Sequence, residues 1–307
     1  MTKILACGLG GGLDVLNASL IYFATKQNGM AAALGSVRPG SLDELNNHSP
    51  FASSGSWINS CTTSNYKGGD PRFAEPRIAS LLGEDVLYLA RKYHNNSSVP
   101  HLREAILVAK EKYSFNHLFF VDGGGDSLIL RSGDSNDTTQ DSDPFWGGDA
   151  TTLEALSGIP NCYLAVISVG LDIDEKKFRN NVSFLAEMGA YYGKLNIRTG
   201  ECVDYSLSKI LSFKDDISDY FALAKSVLVL EDSDLSCPEK TMSHTAVVTY
   251  HALKGDYGLH RTYVSWEPKD PATSKPGVIV RPEHCWMYFF DASRIHQLKK
   301  DINRQAQ

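Results

Sequence analysis

The sequence has no apolar run of about 18 residues, the length a membrane-crossing helix needs, so no span is expected. It has no surplus of positive charge. The formal net charge is −6 and the isoelectric point about 5.8, which argues against nucleic acid as a partner, since that needs a basic footprint. Its six cysteines, Cys7, Cys61, Cys162, Cys202, Cys237 and Cys285, include no Cys-x-x-Cys pair, so the spacing of a zinc or redox site is missing. Nothing resembles a disulfide framework, which points to a reducing, cytoplasmic setting. The N-terminus offers one lysine and a short apolar run that passes straight into glycines, unlike a signal peptide. Gly-x-x-x-x-Gly-Lys-Ser/Thr is absent, and so is the Gly-x-Ser-x-Gly elbow of α/β hydrolases.

What the chain does have is three strand-like runs that each end in a glycine turn carrying aspartate. Ile4-Leu5-Ala6-Cys7 leads into Gly8-Leu9-Gly10-Gly11-Gly12-Leu13-Asp14. Leu118-Phe119-Phe120-Val121 leads into Asp122-Gly123-Gly124-Gly125-Asp126-Ser127. Leu164-Ala165-Val166-Ile167 leads towards Gly170-Leu171-Asp172. In an open parallel sheet the carboxyl ends of the strands form the ligand crevice. If these strands are neighbours, three glycine turns and up to four carboxylates share one mouth.

The surrounding pattern is α/β. Val15 to Ala24 carries apolar residues at helical spacing, Gly29 ends that helix, and Ala31–Val37 reads as the next strand, giving a right-handed parallel βαβ unit. Helices are expected near 75–82, 101–112, 149–156, 174–190 and 216–225, and strands at 86–89, 117–122, 162–169, 227–230, 245–250 and 286–291. The polar stretches 38–76, 131–149 and 266–283 read as loops, and the tail from Lys299 as polar and frayed. Five aspartates fall in 131–149, without the Gly and Glu positions of an EF-hand loop. The expectation is one α/β domain over residues 1–307, a three-layer Rossmann-like sandwich with a mainly parallel sheet.

The first turn is a poor dinucleotide fingerprint. Leu13 stands where the third glycine belongs, and Asp14 places a carboxylate where a pyrophosphate would sit. In the second turn three readings stay open. Asp122 and Asp126, with Asp14 nearby, can bind Mg²⁺ or Ca²⁺ through oxygen. Asp126 or Asp14 can grip the hydroxyls of a ribose. Or the aspartates cap turns and helices and bind nothing. The candidate residues are Asp126 and Asp14 for catalysis, with Asp126 as a base for water attack, and Asp122 and Asp126 for metal. Gly10, Gly11, Gly12, Gly124, Gly125 and Ser127 are candidates for holding a nucleotide- or sugar-phosphate-like small molecule. The alternative is a non-catalytic regulatory or scaffold protein with a vestigial crevice. His244, His251 and His260 share one C-terminal stretch, without a metalloprotease spacing.

Several separated pieces resemble the DUF1152 family: Gly10 to Asp14 before an apolar helix, Phe73-Ala74-Glu75-Pro76-Arg77-Ile78-Ala79, Phe120 to Leu128, Asp149-Ala150 opening a helix, and Met287-Tyr288-Phe289-Phe290-Asp291. The resemblance runs over about residues 3–295. It implies one α/β domain and supplies no reaction. The Asp/Ser-rich stretch 132–143 and the polar loop 40–70 depart from the family pattern and look like insertions.

Overall fold

The first strand, β1 (Lys3–Gly8), is buried along nearly its whole length, as a strand covered on both faces must be. The computed structural model describes residues 2–10, 13–39, 52–53, 58–61, 74–91, 98–130, 148–171, 173–214, 216–228, 244–260 and 278–305. After β1 come α1 (Asp14–Gln27), β2 (Ala31–Pro39), β3 (Ala52–Ser53), β4 (Ile58–Cys61), α2 (Ala74–Leu82), β5 (Val86–Arg91), α3 (Ser98–Lys112) and β6 (His117–Gly123). A 3₁₀ turn (Asp126–Leu128), α4 (Gly148–Leu156), β7 (Cys162–Ile167), α5 (Glu175–Glu187), β8 (Tyr191–Asn196) and β9 (Cys202–Val203) follow. The chain continues with α6 (Ser218–Leu228), α7 (His244–Lys254), β10 (Gly258–His260), β11 (Val278–Val280), a second 3₁₀ turn (Pro282–Cys285), β12 (Trp286–Asp291) and α8 (Ala292–Gln305).

The result is a mixed α/β protein built on a large, mostly parallel sheet. Its strand order is β3-β4-β5-β2-β1-β6-β7-β12-β8-β9. The five inner strands, β5 to β7 in that order, are mutually parallel. β4 joins β5 antiparallel on one side, and β12 joins β7 antiparallel on the other. β10 and β11 form a separate antiparallel ribbon.

The two-residue period of a strand divides the core. Ile4, Ala6, Phe119, Val121, Ala165 and Phe289 enter one apolar cluster with α1, α2, α6 and α7. Leu5, Cys7, Leu118, Phe120, Leu164 and Phe290 enter another with α3, α4, α5 and α8. Each fully buried aromatic, such as Phe119 or Phe120, stabilises the fold by about 1.5–3 kcal/mol relative to leaving it exposed. Cys7 and Cys162 are small core residues whose thiols burial pushes well above their usual range.

Several expectations change. Val227 and Leu228 end helix α6, where a strand was expected over 227–230, because with Leu223 and Ala224 they share that helix's buried face, and β11 forms within the stretch 266–283 read as a loop. Thr245–Tyr250 lies in helix α7, not in a strand: Ala246, Val247, Val248 and Tyr250 are all buried, and the short apolar stretch has no two-residue alternation strong enough to override the helix. β8 and β9 continue the antiparallel flank of the sheet, where none was expected. The tail does not fray at Lys299. Helix α8 runs on to Gln305, because Ile295, Leu298, Lys299 and Ile302 form an i, i+3, i+4, i+7 stripe that packs inward. Asp172, Gly11, Gly12, the loop 40–51 and the aspartates at 134–143 lie outside the described residues.

Candidate functional site

The strand order reverses between β1 and β6. β1 runs to β2 and β5 on one side, and the chain then returns to place β6 and β7 on the other. A reversal of this kind leaves a crevice at the carboxyl ends of the two strands. The first and second glycine turns sit there.

Asp14 joins the two turns. It is 7% exposed, and its Oδ2 accepts the Gly10 N–H at 3.3 Å while its Oδ1 accepts the Gly123 N–H at 3.1 Å. Leu13, not Asp14, occupies the helix cap position, and its side chain makes no cap hydrogen bond. The Gly124 N–H donates to the Ile167 carbonyl at 2.9 Å. The N–H groups of Gly10 and Gly124 thus hold the fold together, and the backbone cradle expected of them works inward.

Gly124 and Gly125 have φ of 109° and 104°, a region that L side chains rarely enter, and they turn the chain so that Asp126 comes back beside Asp122. Asp122 is almost fully buried. Its Oδ2 accepts the Ser127 N–H at 3.2 Å and the Ser127 hydroxyl as well. Ser127 therefore positions Asp122.

A further carboxylate arrives from α4. Thr152 Oγ1 donates to the Leu9 carbonyl at 3.1 Å, tying the helix start to the first turn. A β-carbon at Gly10 would stand 2.2 Å from Asp149 Oδ1, so the absence of a side chain is what lets Asp149 approach. Carboxylate oxygens of Asp122, Asp126 and Asp149 lie within 4.8 Å of one another. That is an all-oxygen donor set suited to a hard divalent cation.

Lys299 of α8 adds a positive charge. It is 1% exposed, and burial pushes its ammonium down to about 8 even though Asp149, Asp126 and Asp122 favour the charged form. Asn17, one helical turn beyond Asp14, is fully buried, and neither its amide nitrogen nor its oxygen has a hydrogen-bond partner among the described residues. It lies against the second turn: a β-carbon at Gly123 would come within 2.6 Å of Asn17 Nδ2 and 2.8 Å of Thr245 Oγ1.

The third turn opens on a different space. A cavity of about 710 Å³ is lined by Gly170, Phe178, Tyr191, Lys194, Trp286 and Tyr288, among others. Lys194 Nζ lies 4.4 Å from the Trp286 ring centre. Phe178 links the two places, since a β-carbon at Gly125 would be 3.7 Å from its ring.

The structure thus brings Gly10, Asp14, Asp122, Gly124, Gly125, Asp126 and Ser127 to one mouth. Asp149, which the sequence places at the opening of a helix, joins Asp122 and Asp126 there. Lys299 and Asn17 were missed. A lysine inside the apolar stripe of α8 is the signal that exposes Lys299. Asn17 sits on an apolar helix, where a single amide carries no distinguishing pattern.

A mixed α/β fold with an acidic, glycine-lined mouth at its strand reversal is a class that hosts many chemistries. The family model described as "Protein of unknown function (DUF1152)" matches residues 5–212, and the chain belongs to that family. The match takes in all three glycine turns and Asp149, and leaves out α7 and α8. No curated protein and no solved structure matches significantly. Among the described residues no helix is long and apolar enough to cross a membrane.

Proposed function

We propose that the protein is a three-layer, Rossmann-like α/β protein that binds a nucleotide- or sugar-phosphate-like small molecule through a divalent cation at the β1/β6 mouth. The observation that carries this reading is the convergence of Asp122, Asp126 and Asp149 within 4.8 Å at the strand reversal. Three carboxylates so close repel one another unless cations hold them, and Mg²⁺ commonly bridges one or two carboxylates and a phosphate. In this reading the cation carries the phosphate, because the N–H groups of Gly10 and Gly124 are engaged within the fold. Asp126, the more exposed member of the second turn, is the base that orients a water. The aromatic cavity beyond Phe178 receives the organic part of the ligand.

A non-catalytic role is the second reading. Lys299 favours it, because a buried ammonium already offsets part of the negative charge at the mouth.

Titration calorimetry with Mg²⁺ and Mn²⁺, and thermal shifts with nucleotides, ADP-ribose and sugar phosphates in the presence of either ion, separate the two. A ligand at 100 times its Kd adds roughly 2.7 kcal/mol of stability. Binding that disappears in Asp126→Asn supports the first reading. No binding of any of these by the wild-type chain leaves the scaffold reading.

A further inference from the structure

A second group of side chains of metal-ligating type lies far along the chain from the acidic mouth, at the junction of α7 and β10, beyond the residues matched by the family model. His251 is in the last turn of α7, Asp256 is in the turn that follows, and His260 is the last residue of β10. His251 Nδ1 lies 2.8 Å from Asp256 Oδ2, and His260 Nε2 lies 3.7 Å from Asp256 Oδ1. The two imidazoles face each other, 3.9 Å between centres and 27° between planes. Their side chains are each 18% exposed, whereas Asp256 is 54% exposed. One ligand atom from each of the three residues fits within 4.8 Å of the others.

We propose that His251, Asp256 and His260 form a binding site for a divalent transition-metal ion of the Zn²⁺ type, which fastens the end of α7 to β10. Two imidazole nitrogens and one carboxylate oxygen are a borderline-soft donor set, unlike the all-oxygen mouth. The exposed side of Asp256 leaves room for water in the remaining position. Neutral imidazole is the ligating form of both histidines. His260 Nε2 is 3.0 Å from the Asp256 carbonyl, so a ring shift of that side chain accompanies binding.

The test uses the full chain without a polyhistidine tag, stripped with chelator and titrated with Zn²⁺. One Zn²⁺ is expected to bind, to raise the melting temperature, and to shift the side-chain ¹⁵N resonances of two histidines. His260→Ala and, as a more conservative change, His260→Gln should each weaken that binding at least about tenfold. Asp122→Asn with Asp126→Asn should leave it intact. Equal Zn²⁺ affinity in wild type and in the His251→Ala, His260→Ala double variant overturns the proposal. So does Zn²⁺ binding that moves no histidine resonance, the absence of Zn²⁺ binding, or binding lost only in the Asp122, Asp126 double variant.

Discussion

Asp14 accepts the Gly123 N–H at 3.1 Å across 109 residues of sequence, and this one bond locks the end of β6 against the turn after β1. With its second bond, to Gly10, the carboxylate is a clamp on both glycine turns. Asp14→Ala should lower stability by about 2–3 kcal/mol, since it removes a charged acceptor and leaves two buried N–H groups unsatisfied. Urea unfolding measures this as a lower midpoint at unchanged m-value. A change within about 0.5 kcal/mol would show that the clamp contributes nothing.

Gly10→Ala puts a methyl 2.2 Å from Asp149 Oδ1, so the Asp149 carboxylate must swing away. The expected outcome is Mn²⁺ affinity reduced at least about tenfold, with a smaller loss of stability than Asp14→Ala causes. Calorimetry and melting curves on the same preparation provide both numbers. Unchanged Mn²⁺ binding would remove Asp149 from the donor set.

Lys299→Met keeps an unbranched side chain, one atom shorter, and deletes its charge. Breaking a buried ionic cluster by removing one partner costs about 3–5 kcal/mol, so the stripped variant should unfold at clearly lower urea. Mn²⁺ should then restore more stability to the variant than it adds to the wild type, because the competing ammonium is gone. Equal Mn²⁺ stabilisation in both proteins would mean that Lys299 and the cation do not share the mouth.

His284 is 5% exposed, and its Nδ1 accepts the Arg281 N–H at 3.1 Å. Burial, and then the charge of Arg281, push its imidazolium below the usual histidine range. The folded state therefore binds this proton less readily than the unfolded chain does. The stabilisation is complete above the ordinary histidine value near 6.5 and is lost as pH falls through it towards the folded value. His284 should steepen the acid side of the stability curve by at most about 1.4 kcal/mol per pH unit. His284→Asn, which keeps an acceptor but cannot charge, should flatten that limb below about pH 6.5 in chelator-stripped protein. An identical slope would place the acid sensitivity elsewhere.

Much of the frame was legible because local pattern and burial agree. β1, β6 and β7 are continuous apolar runs, as strands covered on both faces must be, and their glycine turns mark the strand ends. The pattern failed where the same residues suit two structures. Val247-Val248-Thr249 favours a strand locally, yet α7 packs it as helix against α1 and α6.

By itself the sequence determined the alternation of strand and helix, the glycine–aspartate turns and the family, since each is written in local spacing or in the order of short motifs. The tertiary structure alone decided which carboxylates meet. Asp14 became a clamp, Asp149 joined Asp122 and Asp126, and Lys299 turned inward beneath them. Asp122, Asp149 and Lys299 are separated by long stretches of chain, and only the reversal of strand order between β1 and β6, with α4 and α8 packed on the same face, sets the distances on which charge and metal binding depend.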